Sequence, residues 1–114
     1  MNAKALYELV KDLPREAWPS CVTGWIRGIY VEVRTSETGD KPHAVSSHMF
    51  ADDAVLLFEA SMMRAVEGHG DVESCHAGDH HIIRVRDGDY GAYVAYAGKT
   101  RIEALAAAVK AVNA

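Results

Sequence analysis

The stretch from Asp71 to Ala97 limits the fold more than any other part of the chain, because Ala77-Gly78-Asp79 and Asp87-Gly88-Asp89 cut it into three short strand-like segments. Asp-Gly tolerates the positive φ angles of tight hairpin turns, so the second break is a strong hairpin signal. Strands are expected over 71–76, 80–86 and 90–97. Ile83 and Val85 alternate with Arg84 and Arg86, which gives the sheet one apolar face and one charged face covered by water or a partner.

Helices flank this meander. After it, Ile102, Leu105, Ala106, Val109 and Val112 recur at helical spacing over 101–112, and Thr100 with Glu103 forms a capping box. Before it, a helix over 51–67 is expected, with Asp52 or Asp53 as N-cap and Gly68 and Gly70 ending it. Its stripe of Val55, Phe58, Met62, Ala65 and Val66 is widened by Leu56, Leu57 and Met63. Either that helix is sandwiched, or part of its face is an oligomer interface, in which case a homodimer is the simplest form.

The first 50 residues add a helix over 2–13, capped by Asn2 and stopped by Pro14, with Leu6, Leu9, Val10 and Leu13 on one face. A connector containing Trp18 leads to one strand over 23–35, where Ile29, Val31 and Val33 alternate with Tyr30, Glu32 and Arg34. The run 36–42 has loop composition, and a shorter strand over 44–49 would complete a hairpin. The order α-β-(β)-α-β-β-β-α describes one α+β domain over 1–114: a mostly antiparallel sheet of 3–5 strands packed with helices, in which 1–50 joins an α-β-β-β-α unit at 51–114.

Composition narrows the class. At 114 residues and 49% hydrophobic, the chain suits one folded core and is too apolar for a disordered tail. It holds no run of the roughly 18 apolar residues that a membrane span needs. The start Met1-Asn2-Ala3-Lys4 leads into an amphipathic segment and not a signal-peptide core, so a cytoplasmic address is expected. Cys21 and Cys75 are too few for a stapled secreted scaffold and are expected to be free.

Three groups invite a chemical reading. Cys75-His76-Ala77-Gly78-Asp79-His80-His81 holds imidazole, thiolate and carboxylate, so Cys75, His76, Asp79 and His81 make a candidate metal set and the basis of a small metal-dependent hydrolase. Adjacent strand residues point to opposite faces, so His80 and His81 do not aim at one ion without a bulge. His43, His48, Asp52 and Asp53 make a second group able to assist water attack, although capping alone accounts for the aspartates. Gly98-Lys99-Thr100 suggests a phosphate loop, but the pattern needs a glycine where Tyr93 stands. No nucleophile motif is present, and neither catalysis nor a cofactor is expected.

Helix, three strands and helix from Ala51 on, closed by Gly98-Lys99-Thr100-Arg101-Ile102-Glu103 and an alanine-rich helix, resemble a double-stranded-RNA-binding domain. That resemblance would carry RNA contacts onto Lys99 and Arg101. Ile102 and Glu103 interrupt the basic cluster, and the chain has ten acidic against six basic residues from Ala51 on, so nucleic acid is not the expected partner. Phe50-Ala51-Asp52-Asp53-Ala54-Val55-Leu56-Leu57-Phe58-Glu59, with Tyr96-Ala97-Gly98-Lys99-Thr100 before the last helix, also resembles the small α-β-α sandwich proteins of tailed phages, with Phe58 where those carry tryptophan. This second resemblance implies a phage or mobile-element accessory protein that binds a host protein, including inhibitors of defence complexes of the anti-CRISPR type.

The expectation is a non-enzymatic, acidic interaction protein whose partner is a host protein with a basic surface. Contacts are expected at His80, His81, Arg84, Arg86, Asp87 and Asp89 of the charged sheet face and hairpins, and at Met62 and Met63 of the second helix.

Overall fold

A computed structural model of the chain describes residues 2–26, 30–37, 43–87 and 91–113. Helix α1 spans Ala3–Val10, and Asn2 Oδ1 caps it by accepting from the Ala5 N–H at 2.8 Å. It ends before the expected Leu13, because a residue preceding proline is pushed out of the helical region. Leu13 still reaches the core, and the Val10 carbonyl at the helix end accepts from both the Leu13 N–H at 3.1 Å and the Trp18 indole N–H at 2.9 Å. A short 3₁₀ turn, Arg15–Ala17, leads from Pro14 to Trp18.

The run expected as one strand over 23–35 is two. β1 (Val22–Ile26) and β2 (Tyr30–Glu37) pair antiparallel, with Trp25 opposite Val31 and Ile26 opposite Tyr30. Alternation of apolar residues reports which face a side chain takes; it does not report whether the chain reverses, and Gly28 lies between the two strands in sequence. Ile29 and most of the expected 36–42 loop lie outside the described residues. β3 (His43–Phe50) is longer than expected and pairs with β2 from Glu37 opposite His43 to Tyr30 opposite Phe50. Backbone pairing tolerates the polar Ser46-Ser47-His48, since the ladder needs only N–H and C=O groups.

β3 runs directly into α2 (Ala51–Glu67). The N-cap is Phe50, which makes no side-chain capping bond; Asp52 and Asp53 occupy the first turn instead, where carboxylates favour the positive end of the helix. β4 (Gly70–Ala77), β5 (His80–Asp87) and β6 (Tyr93–Gly98) form the expected meander, followed by α3 (Arg101–Val112) with the expected bounds. The architecture is α+β, and the described residues form three α-helices and two antiparallel three-stranded sheets, β1-β2-β3 and β4-β5-β6. It thus has one strand more than the sequence suggested and two sheets where one was expected. Among the described residues no helix is long and apolar enough to cross a membrane.

The core lies where α2 and α3 meet the second sheet. Ile83 and Val85 of β5, Phe58, Met62 and Val66 of α2, and Ile102, Leu105 and Val109 of α3 are buried together, each large side chain contributing about 1.5–3 kcal/mol. Val22, Val31 and Val33 extend it into the first sheet. Tyr7, Trp18, Trp25 and Phe58 join α1, the connector, β1 and α2 in one aromatic cluster, with ring centroids 5.4 Å apart for Tyr7–Trp25 and Trp18–Phe58. Gly98 is glycine for space: a Cβ there would sit 2.6 Å from the Ala104 nitrogen, so β6 enters α3 more tightly than any side chain permits.

Candidate functional site

Residues facing each other across antiparallel strands share a side of the sheet, and the register sorts the expected contacts. On the side away from the helices, Asp71, Arg86 and Tyr93 form one row, and Glu73, Arg84 and Ala95 the next. Arg86 Nη2 donates to Asp71 Oδ2, and its guanidinium lies 5.3 Å from the centre of the Tyr93 ring; Arg84 stands 3.8 Å from Glu73. The charged face is therefore present but already neutralised from within. Exposed pairs of this kind contribute about 0–1 kcal/mol each. Asp87 ends β5 opposite Gly70, its side chain outside the description, and Asp89 lies outside the described residues.

The His-rich hairpin turns through Gly78 and Asp79, with Gly78 at φ 61°. His76 faces His81, and their ring centroids are 3.8 Å apart. Cys75 faces Ile82 and His80 faces Ala77, both on the opposite side of the sheet, while Asp79 sits in the turn. The candidate metal set of Cys75, His76, Asp79 and His81 is thus divided, with only the two histidines meeting. Among the described residues no three His, Cys, Asp or Glu side chains stand together as a metal would require. The hydrolase reading therefore lacks an assembled ligand set among those residues. His43 and His48 lie in β3 opposite Glu37 and Glu32, and their side chains are outside the description. Cys21 and Cys75 are free.

Met62 is corrected from contact residue to core: it is fully buried, and Met63 is half-buried against the same cluster. The wide apolar stripe of α2 is explained by its position between α3, the 3₁₀ turn and strands of both sheets. Leu56 alone of the widening residues stays largely outside, 70% exposed. At the start of α3, Thr100 Oγ1 accepts from the Glu103 N–H at 3.4 Å, and Glu103 Oε2 accepts from the Lys99 N–H at 3.3 Å. The expected capping box forms with its return bond shifted one residue outward. Arg101 pairs with Glu59 of α2 at 3.4 Å, which ties a cation of the RNA-like cluster into the helix layer.

One feature escaped the sequence reading. β6 is an outer strand with no acidic or basic residue and no proline in Tyr93-Val94-Ala95-Tyr96-Ala97-Gly98, and Tyr93 and Val94 are 39% and 53% exposed. Its composition was the available signal, visible once the strand is known to end the sheet. Beside its end a groove of about 590 Å³ runs between α1 and α3, lined by Glu8, Leu9, Ala97, Gly98 and Ala106. Lys11 holds the Glu8 carboxyl below its usual range through a 2.8 Å ion pair, and Glu8 in turn raises Lys11. Set against models of protein families, curated proteins and solved structures, the chain matches none of them.

Proposed function

We propose that the chain is a non-catalytic protein-binding module whose principal contact is the outer edge of β6. The observation that carries this reading is an uncharged six-residue strand at the margin of a sheet, with Tyr93 and Val94 exposed. Natural proteins ordinarily blunt such margins with lysine, proline or a bulge, because an outer strand offers backbone donors and acceptors to any extended chain. An added strand gains main-chain hydrogen bonds for affinity and side-chain contacts on both faces for specificity. The groove between α1 and α3, apolar at Leu9, Ala97 and Ala106 and rimmed by Glu8, Glu103 and Lys110, adjoins the strand's end.

Charge supports the choice of partner. The ten acidic and six basic residues from Ala51 on favour a protein with a basic surface and oppose the phosphate backbone of nucleic acid. The pairing of Arg101 with Glu59 weakens the nucleic-acid alternative further. The proposed setting, a phage or mobile-element protein acting on a host protein such as a defence complex, rests on the sequence resemblance alone.

Affinity capture from a host lysate tests the reading with wild-type protein beside Val94→Lys, which sets a charge on the edge. The wild type should retain a protein that the variant loses by about tenfold or more. Equal retention by both would contradict the assignment to β6.

A further inference from the structure

His76 and His81 lie outside the β6 edge proposed above as the principal contact. The Gly78-Asp79 turn sets the β4–β5 register so that these two residues face each other, and facing residues project to the same side with Cβ atoms roughly 4.5–5.5 Å apart. Their imidazole centroids are 3.8 Å apart and the ring planes are inclined at 54°. Each ring carries coordinating nitrogens on its rim; with metal–nitrogen bonds of about 2.0–2.1 Å, two neighbouring positions on one ion would hold the centroids somewhat farther apart than this, so the rings open slightly to share it.

His76 is exposed and His81 half-buried, so an ion reaches them from solvent and keeps water on its remaining positions. No third described His, Cys, Asp or Glu joins them. Two imidazoles with water suit Cu²⁺, Ni²⁺ or Zn²⁺, whereas Mg²⁺ and Ca²⁺ require oxygen ligands.

We propose that His76 and His81 form a two-imidazole clip for a divalent late transition-metal ion. The clip exists only while the two strands are in register, so the ion binds the folded hairpin and stabilises it. It fastens the outer strand β4 to β5 beside their turn, on the opposite margin of the sheet from β6.

Calorimetric titration of the whole chain with Ni²⁺ alone, with thermal unfolding in parallel, tests this. One saturable ion per chain is expected, with a melting temperature raised by roughly 5 °C at saturation. His76→Gln and His81→Gln should each weaken binding by about tenfold or more. The double variant should bind no more weakly than either single one, because one imidazole left alone is no longer a chelate. His80→Gln, on the other face, should keep wild-type affinity. Paramagnetic broadening supplies a readout that needs no variant: the imidazole signals of His76 and His81 should disappear at lower Ni²⁺ than those of the other histidines. The proposal is overturned if no saturable site is found, if either single variant retains wild-type affinity, if His80→Gln weakens binding as much as His81→Gln, or if the other histidines broaden first.

Discussion

The two outer strands of sheet β4-β5-β6 differ in one respect. β4 carries Asp71 and Glu73, which meet Arg86 and Arg84 on β5, whereas β6 presents tyrosines, a valine, alanines and a glycine. Both strands are marginal and both pair with the same central strand, so backbone geometry does not separate them. Side-chain charge does. An extended chain docking on β4 must desolvate carboxylates that already have partners, whereas one docking on β6 meets no such cost. The difference teaches that a sheet can be closed to other chains along one margin and left open along the other with no change in its hydrogen-bonding frame.

The severest challenge to this comparison is to remove the layer that supports both margins. Phe58→Ala should cost about 3–5 kcal/mol, read by urea unfolding, because the side chain is fully buried at the centre of the aromatic cluster. A loss under about 1 kcal/mol would show that the helices do not hold the sheet as described. A narrower change acts where the open margin enters α3. Gly98→Ala places a methyl 2.6 Å from the Ala104 nitrogen and should cost about 1–3 kcal/mol, with the amides of β6 losing protection before those of β4.

The closed margin is tested by stripping its charges. Asp71→Ala with Glu73→Ala should change stability by only about 0–1 kcal/mol per pair, yet sedimentation should show increased self-association as β4 comes to resemble β6. No change in association would mean that charge is not what closes that edge. The smallest effect concerns Glu8, at the rim of the groove beside β6. Its carboxyl is held below the usual value of 4.5 and the Lys11 ammonium above 10.5, each chiefly by the hydrogen bond between them. The pair's contribution is therefore complete between those values, lost as pH falls through the folded Glu8 value, and lost again as pH rises through that of Lys11. Melting temperatures of wild type and Glu8→Gln should converge outside that window.

Local signals made much of this legible. The bounds of α3 follow from Thr100, Glu103 and a regular apolar stripe, and the β4–β5 hairpin follows from its Gly78-Asp79 turn, because each depends on residues close in sequence. What depended on distant packing was not legible. Met62 reads as a surface candidate until α3 and the strands cover it, and the 23–35 run reads as one strand because alternation persists through a reversal. Phe50 caps α2 without a side-chain bond, which no capping rule anticipates. The facing of His76 and His81 is legible too, since a two-residue turn at Gly78-Asp79 determines it and sends Cys75 and His80 to the other face.

Amide hydrogen exchange on the chain, alone and with its captured protein, tests the central claim most directly. Slowed exchange confined to amides of β6 and the neighbouring groove, with β4 unchanged, is the result expected of an added strand. Protection along β4 or the Arg84–Arg86 face, with β6 exchanging as in the free chain, would contradict it.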